Sequence, residues 1–222
     1  MNDFEIIKFS FAGLTLQEPM ALITNWLVAV FCFFVVLKIK WSNSESVRSF
    51  RLFYLILGIS MVFGGLGHLF FQYLGMYGKF PSWILGTVAG FYIGKGVLVY
   101  WKEHKSYSFF KFFLISKALI LLSLSLIFQK FIFVAIDVIL TYIIYSGYIS
   151  YRLWMKDKVE MKFFVYGIII LFPSMFIFLM NINLHRFLNR DDLSHILMLF
   201  CIIFFYSGIK RINNNYSKQV IA

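Results

Sequence analysis

The chain has 222 residues, of which 61% are hydrophobic and 14% are charged. Soluble domains carry about 25% charged residues, so this composition excludes a soluble globular domain, a disordered chain and a disulfide scaffold. The net charge of +11 does not indicate a nucleic-acid partner. The basic residues lie in short loops between apolar runs, which is where membrane proteins carry them.

Seven apolar runs follow one another along the chain, and each is long enough to cross a hydrocarbon core of about 30 Å. The runs cover about residues 21–39, 52–74, 82–101, 112–128, 131–149, 163–180 and 193–209. They are continuous rather than alternating, which predicts helices and excludes a β-barrel. With no internal repeat and no linker, residues 1–222 are predicted to form one domain, an all-α seven-transmembrane helix bundle.

The loop charges predict the orientation of this bundle. One set of loops holds fourteen Lys and Arg residues and the other set holds five, while Lys95 and Lys117 fall inside spans. This asymmetry places the C-terminus in the cytoplasm and the N-terminus outside. Richness in Phe, Ile, Lys and Asn suits a bacterium with an AT-rich genome, so we expect an integral protein of a bacterial inner membrane.

In this orientation, polar residues from four spans fall in one layer near the outer surface. His68 lies in the outer third of the second span, and His195 lies within a turn of the outer end of the seventh. The other members of the layer are Glu18, Asn25, Gln72, Ser174, Asn181, Asn183, His185, Asp191 and Asp192. Asp191 and Asp192 precede His195 by four and three residues, which is the same helical face if the helix begins that early.

Histidines and carboxylates at one depth are ligands that Zn²⁺ takes, with a position left for water. Two other interpretations stay open. His68 can hydrogen-bond a neighbouring helix, and the two aspartates can cap the seventh helix, because Asp is favoured at a helix N-terminus.

A second ionisable residue, Asp137, lies nearly two turns inside the fifth span. Such residues are costly in a membrane and are functional candidates. The other interpretation is a salt bridge to Lys117 across the turn at Gln129.

The cluster Gly64-Gly65-Leu66-Gly67 before His68 is expected to let another backbone or a lipid chain come close.

The pattern of spans and motifs resembles the CREST superfamily, which includes alkaline ceramidases and the progestin and adipoQ receptors. The matching features are seven spans, His68 after Gly64-Gly65-Leu66-Gly67, and His195 in Asn189-Arg190-Asp191-Asp192-Leu193-Ser194-His195. Glu18-Pro19 and Thr24-Asn25 resemble short bacterial members of unknown function. The resemblance implies a seven-helix fold and a zinc-dependent amidase acting on lipids.

Three positions depart from the ceramidase pattern. Asp191 stands where the family has a second histidine in the seventh span, Gly64 where it has a serine, and Lys79 where it has an aspartate. The resemblance therefore implies a zinc site more strongly than it implies hydrolase activity.

Two functions of different classes follow, and a third is weaker. The first is an intramembrane zinc-dependent hydrolase of a lipid amide or ester. In it, His68, His195 and Asp191 or Asp192 hold the metal, with Asp191 favoured, and Glu18 or Asp192 accepts a proton. The second is a non-catalytic, receptor-like or lipid-binding bundle, which the missing serine and aspartate favour. A transporter is less consistent with the chain, because no repeat is readable. Membrane lipids are the expected partners.

Overall fold

The computed structural model of the protein describes residues 6–221, with the side chains of residues 6–215. In this part of the chain, seven helical segments are long and apolar enough to cross a membrane. They are Pro19–Lys38, Glu45–Leu69, Phe71–Trp101, Tyr107–Phe128, Ile132–Trp154, Val159–Leu179 and Arg190–Asn215. The prediction of seven helical spans is therefore confirmed.

Several of these segments are built from more than one element. In chain order, the strands and α-helices are β1 (Lys8–Phe11), β2 (Leu14–Gln17), α1 (Pro19–Lys38), α2 (Glu45–Leu69), α3 (Phe71–Leu74), α4 (Phe80–Leu98), α5 (Tyr107–Phe128), α6 (Ile132–Thr141), α7 (Ser150–Trp154), α8 (Lys162–Leu179) and α9 (Arg190–Ile221). Short 3₁₀ turns cover Gly75–Lys79, Val99–Trp101 and Val159–Met161, and a π-helix covers Tyr142–Ile149.

The second span differs most from its predicted bounds of 52–74. Helix α2 begins earlier because Ser44 caps it and accepts from the Val47 amide. Two serines of its first turns, Ser46 and Ser49, are buried, and Ser46 Oγ donates to the Gly96 carbonyl over 2.8 Å. The helix ends at Leu69, before the predicted end at Leu74. Gln72, which was expected one turn beyond His68 in the same helix, is consequently exposed on α3.

An antiparallel hairpin precedes the first span, and the hydropathy pattern did not predict it. Ala12 and Gly13 join its two strands with φ angles of 49° and 77°. Two positive φ values are what a tight two-residue hairpin turn requires. The Glu18 amide donates to the Ile7 carbonyl over 3.0 Å, so the hairpin fixes the backbone just before α1.

The salt bridge predicted between Lys117 and Asp137 is confirmed. The Lys117 ammonium donates to Asp137 Oδ1 and, over 2.7 Å, to the Thr141 hydroxyl. Gln129 takes the left-handed conformation and ends α5, which turns the chain back so that α6 packs against α5. Both charged side chains are buried, and the pair joins α5 to α6.

The aromatic core lies at one end of the bundle, in the halves of α2, α8 and α9 that are remote from both predicted site histidines. Phe164 lies between Phe50 and Phe205, with ring centroids 5.3 and 5.0 Å away. All three rings are fully buried. A Cβ at Gly96 would lie 2.4 Å from the Phe50 ring, so α4 packs closely against α2 here. None of these three side chains lines the main cavity, which lies toward the other end of the bundle.

Candidate functional site

A cavity of about 340 Å³ lies among the spans at the end away from the aromatic core. Lining residues recur at helical spacing along each wall, as Trp83, Gly86 and Gly90 do on α4. The volume lies within the range of about 300–1,000 Å³ that is usual for small-molecule sites. The cavity is therefore long, parallel to the helices and large enough for a ligand.

The cavity is polar at one end and apolar along the rest of its length. The polar end holds both predicted histidines together with Asn25, Lys79, Arg190 and Asp191. The apolar walls come from α6, α8 and α9 and include Val134, Val138, Leu171, Met175 and Met198. Such a cavity fits a molecule with a polar head and a hydrocarbon chain.

His68 is oriented by Glu18. His68 Nδ1 lies 2.7 Å from Glu18 Oε2, and both side chains are largely buried, with 13% and 21% exposed. Burial raises the pKa of the Glu18 carboxyl most strongly, but the hydrogen bond from His68 and the charges of His68 and Lys79 outweigh it and leave this pKa below 4.5. An ionised Glu18 accepts the Nδ1 hydrogen, so Nε2 of His68 is left for a ligand.

The backbone of Glu18 is unusual for its residue type. Its φ of 51° and ψ of 56° lie in the left-handed region, which non-glycine residues seldom occupy and which costs about 1–3 kcal/mol. The bond from its amide to Ile7 in the hairpin holds it there. The hairpin thus places the carboxylate against His68.

His195 is contacted through Nδ1 by two residues of α1. Thr24 Oγ1 lies 3.2 Å from this nitrogen and Asn25 Nδ2 lies 3.3 Å from it. Thr24 also donates to Asp192 Oδ1 over 3.1 Å. With Nδ1 protonated, Thr24 accepts from His195 and donates to Asp192, which leaves Nε2 free. With Nε2 protonated, Asn25 donates to Nδ1 instead.

Asp192 has a structural position in the first turn of α9. Its Oδ2 accepts from the Asn189 amide over 3.1 Å, and Asn189 Oδ1 accepts from the Asp192 amide over the same distance. This reciprocal pair is a capping box. The interpretation of Asp192 as a helix cap therefore holds, and both of its carboxylate oxygens have partners.

Asp191 lines the cavity together with both histidines. Helix α9 begins at Arg190, so Asp191 lies one turn before His195 on the same helix, as the spacing required. Its Oδ1 lies 3.6 Å from Arg190 Nε. Within residues 6–221, however, no group of three His, Cys, Asp or Glu side chains is arranged to hold a metal ion.

A comparison with protein families identifies the relatives of this chain. Residues 20–214 match the model of a family of unknown function, DUF6962. The chain belongs to this family. No curated protein matches the chain, and no solved structure matches it. The part shared with DUF6962 begins after Glu18 and contains Thr24, both cavity histidines and Asp191.

The structure thus brings together most of the predicted polar layer and separates a few of its members. His68, Asp191, His195, Asn25 and Ser174 line the one cavity. Asn181 and Asn183 line a smaller cavity of about 190 Å³, which Glu18, Asp191 and Asp192 also border. His185 pairs with Leu188 in the exposed loop before α9.

Two residues of the candidate site were not assigned their present roles from the sequence. Thr24, which links His195 to Asp192, was noted only as part of a motif. Lys79 was noted as a departure from a pattern, yet its Nζ lies 3.5 Å from His68 Nδ1 and it lines the cavity. The available signal for Thr24 was its position beside Asn25, as one of two adjacent polar residues in an apolar run.

Proposed function

We propose that this protein is an intramembrane, zinc-dependent hydrolase that cleaves an amide or ester bond of a lipid. The observation that carries the proposal is the pair of histidines from α2 and α9. They line one cavity, and each is contacted at Nδ1 by a partner outside it.

The donor set fits zinc in its chemistry. Histidines that bind metals through one ring nitrogen usually donate the other N–H to a carboxylate or another acceptor. Glu18 and Thr24 are such partners for His68 and His195, and the Asp191 carboxylate on the cavity wall is the third ligand in this proposal. Bound there, Zn²⁺ would polarise the scissile carbonyl and activate a water molecule.

The residues of the chain have separate tasks in this proposal. The apolar walls take the acyl chain and exclude water from it, and the polar end takes the head of the lipid. Glu18 and Asp192 were expected to accept a proton. Their contacts favour positioning instead, since either carboxylate would first have to release its present partner.

The charge asymmetry of the loops supports one orientation of the protein in the membrane. The N-terminus lies outside and the C-terminus lies in the cytoplasm of a bacterial inner membrane. The polar end of the cavity then faces the outer leaflet, from which a lipid substrate enters.

Zinc content measured by mass spectrometry on purified protein tests the metal. We expect about one zinc per chain in the wild type and a large loss in His68→Ala and His195→Ala. His104→Ala and His185→Ala are the matched controls and are expected to retain it. Equal zinc in all five proteins, or none in the wild type, would refute the metal site.

Release of fatty acid from a total lipid extract tests the reaction. We expect the wild type to release it and the chelator-treated protein and His195→Ala to release none. Zinc binding without any turnover would contradict the hydrolase but not the site.

The second candidate is a non-catalytic, receptor-like or lipid-binding protein. The specific observation in its favour is the contact of Asn25 Nδ2 with His195 Nδ1. An amide nitrogen only donates, so this contact favours the tautomer with the hydrogen on Nε2. In that form His195 donates to a ligand rather than binding a metal.

A further inference from the structure

The polar end of the cavity contains the ammonium group of Lys79. Lys79 makes no ion pair with a carboxylate among the described residues. The nearby carboxylates of Glu18 and Asp191 attract Lys79 through space, but their direct contacts are with His68 and Arg190. The contacts of Lys79 are His68 Nδ1 at 3.5 Å and the face of the Phe71 ring at 5.0 Å.

Lys79 lies at the start of one of the cavity walls. Lys79 ends the 3₁₀ turn before α4. Trp83, Gly86 and Gly90 continue the same cavity wall down that helix. A chain that follows this wall therefore begins at an ammonium group and ends among hydrocarbon side chains.

We propose that the ligand of this cavity is a single-chain lipid with an anionic headgroup, whose carboxylate or phosphate binds Lys79. The inference rests on the lipid-binding part of the proposed function and extends it to the class of ligand. Lys79 is half-buried, and an ammonium group that is partly removed from water without a directly bonded carboxylate is costly. An anionic headgroup supplies that direct contact, whereas a neutral lipid does not.

The experiment uses quenching of Trp83, which lines the cavity and is 3% exposed. The probes are dibromostearic acid, the lysophosphatidic acid of the same acyl chain and the neutral monoacylglycerol of that chain. The Trp83→Phe protein provides the signal of the other tryptophans, which is subtracted. All titrations use chelator-treated protein, so that neither metal nor turnover contributes.

We expect both anionic probes to quench Trp83 at roughly tenfold lower concentration than the neutral probe, the difference of one charged hydrogen bond. Lys79→Gln should remove this preference and leave binding of the neutral probe within about twofold. Lys79→Arg should keep the preference. Lys95→Gln is the matched control, because Lys95 lies in the same membrane-spanning segment but pairs with Glu45 at 3.5 Å.

Several outcomes overturn the inference. They are equal binding of neutral and anionic probes by the wild type, an equal loss of both in Lys79→Gln, and no quenching of Trp83 by any probe. The result of this lipid-binding experiment is independent of the result for the proposed hydrolase. A protein without zinc that shows the Lys79-dependent preference refutes the hydrolase and keeps the inference, whereas a zinc enzyme that binds neutral lipids equally well does the reverse.

Discussion

Two residues outside the cavity control the two histidines inside it. Glu18 fixes His68 by a direct hydrogen bond, and Thr24 connects His195 to Asp192 through one hydroxyl group. Such partners set which ring nitrogen carries the hydrogen, and their loss typically costs a metal site 10–100-fold in affinity. The ring nitrogen that each histidine presents to the cavity therefore depends on these neighbours.

Thr24→Val is expected to destabilise the protein by about 1–3 kcal/mol, because a buried Asp192 oxygen and His195 Nδ1 lose a hydrogen-bond partner. Thermal unfolding in detergent measures the change. Thr24→Ser keeps the hydroxyl and should restore most of the stability. Thr87→Val is the control, since the Thr87 hydroxyl is buried without a partner in the described residues and its removal should be neutral or stabilising. Equal losses in both valine variants would contradict the role of Thr24.

Glu18 gives a prediction for the dependence of stability on pH. Its pKa in the folded protein lies below 4.5, so its negative charge contributes stability that is fully present above pH 4.5 and is lost as the pH falls through the lowered value. The difference in melting temperature between wild type and Glu18→Gln should therefore stay constant above pH 4.5 and shrink below it. A difference that is already lost on acidification above pH 4.5 would contradict a lowered pKa of Glu18.

Between elements, the buried pair of Lys117 and Asp137 joins α5 to α6. Asp137→Asn should destabilise by about 3–5 kcal/mol, because it leaves the Lys117 charge without a counter-charge. Lys117→Met in the same chain should restore most of that loss. The melting temperatures of both single variants and the double variant provide the measurement. The exposed Lys102, which pairs with Glu45, serves as control, and Lys102→Met should leave the melting temperature unchanged. A double variant no more stable than either single variant would contradict the pairing.

The elements show which features the sequence could predict. Hydropathy was sufficient for all seven spans, because each must cover the thickness of a membrane. It failed at the start of α2, where polar residues are buried by bonds such as that from Ser46 to Gly96. It also failed at the hairpin, whose signals are Gly13 in a two-residue turn and the bond from the Glu18 amide to Ile7. Neither the long-range bond of Ser46 nor the local bond of the hairpin leaves a trace in a hydropathy average over a window.

The sequence predicted the depth of the site residues in the membrane but not the direction in which each helix face points. Orientation placed His68 and His195 at one level, and both line one cavity. Depth does not state which face of a helix turns inward, so Thr24 and Lys79 could not be assigned to these histidines from the sequence. The carboxylates show the same limit, since only the packing reveals that Asp192 caps α9 while Asp191 lines the cavity.

For the whole molecule, the loop charges predict the orientation. A reporter that is active only in the cytoplasm should be active when fused after Lys218, and a cysteine placed at Arg186 should react with an impermeant reagent from outside. A cysteine at Lys105 should react only after the membrane is opened, because it lies in the more basic set of loops. The opposite labelling pattern would invert the bundle and place the polar end of the cavity at the cytoplasmic side.

The aromatic end of the bundle and the end that holds the main cavity have different tolerances for sequence change. Truncating Phe164 or Phe205 opens a hole in a filled core, which costs about 3–5 kcal/mol. Truncating Val138 or Met175 enlarges a space that already exists, and the fold loses less. Substitutions in the cavity walls can therefore change the length and shape of the cavity while the aromatic end keeps the bundle folded. The division between the two ends lets the shape of the cavity evolve separately from stability.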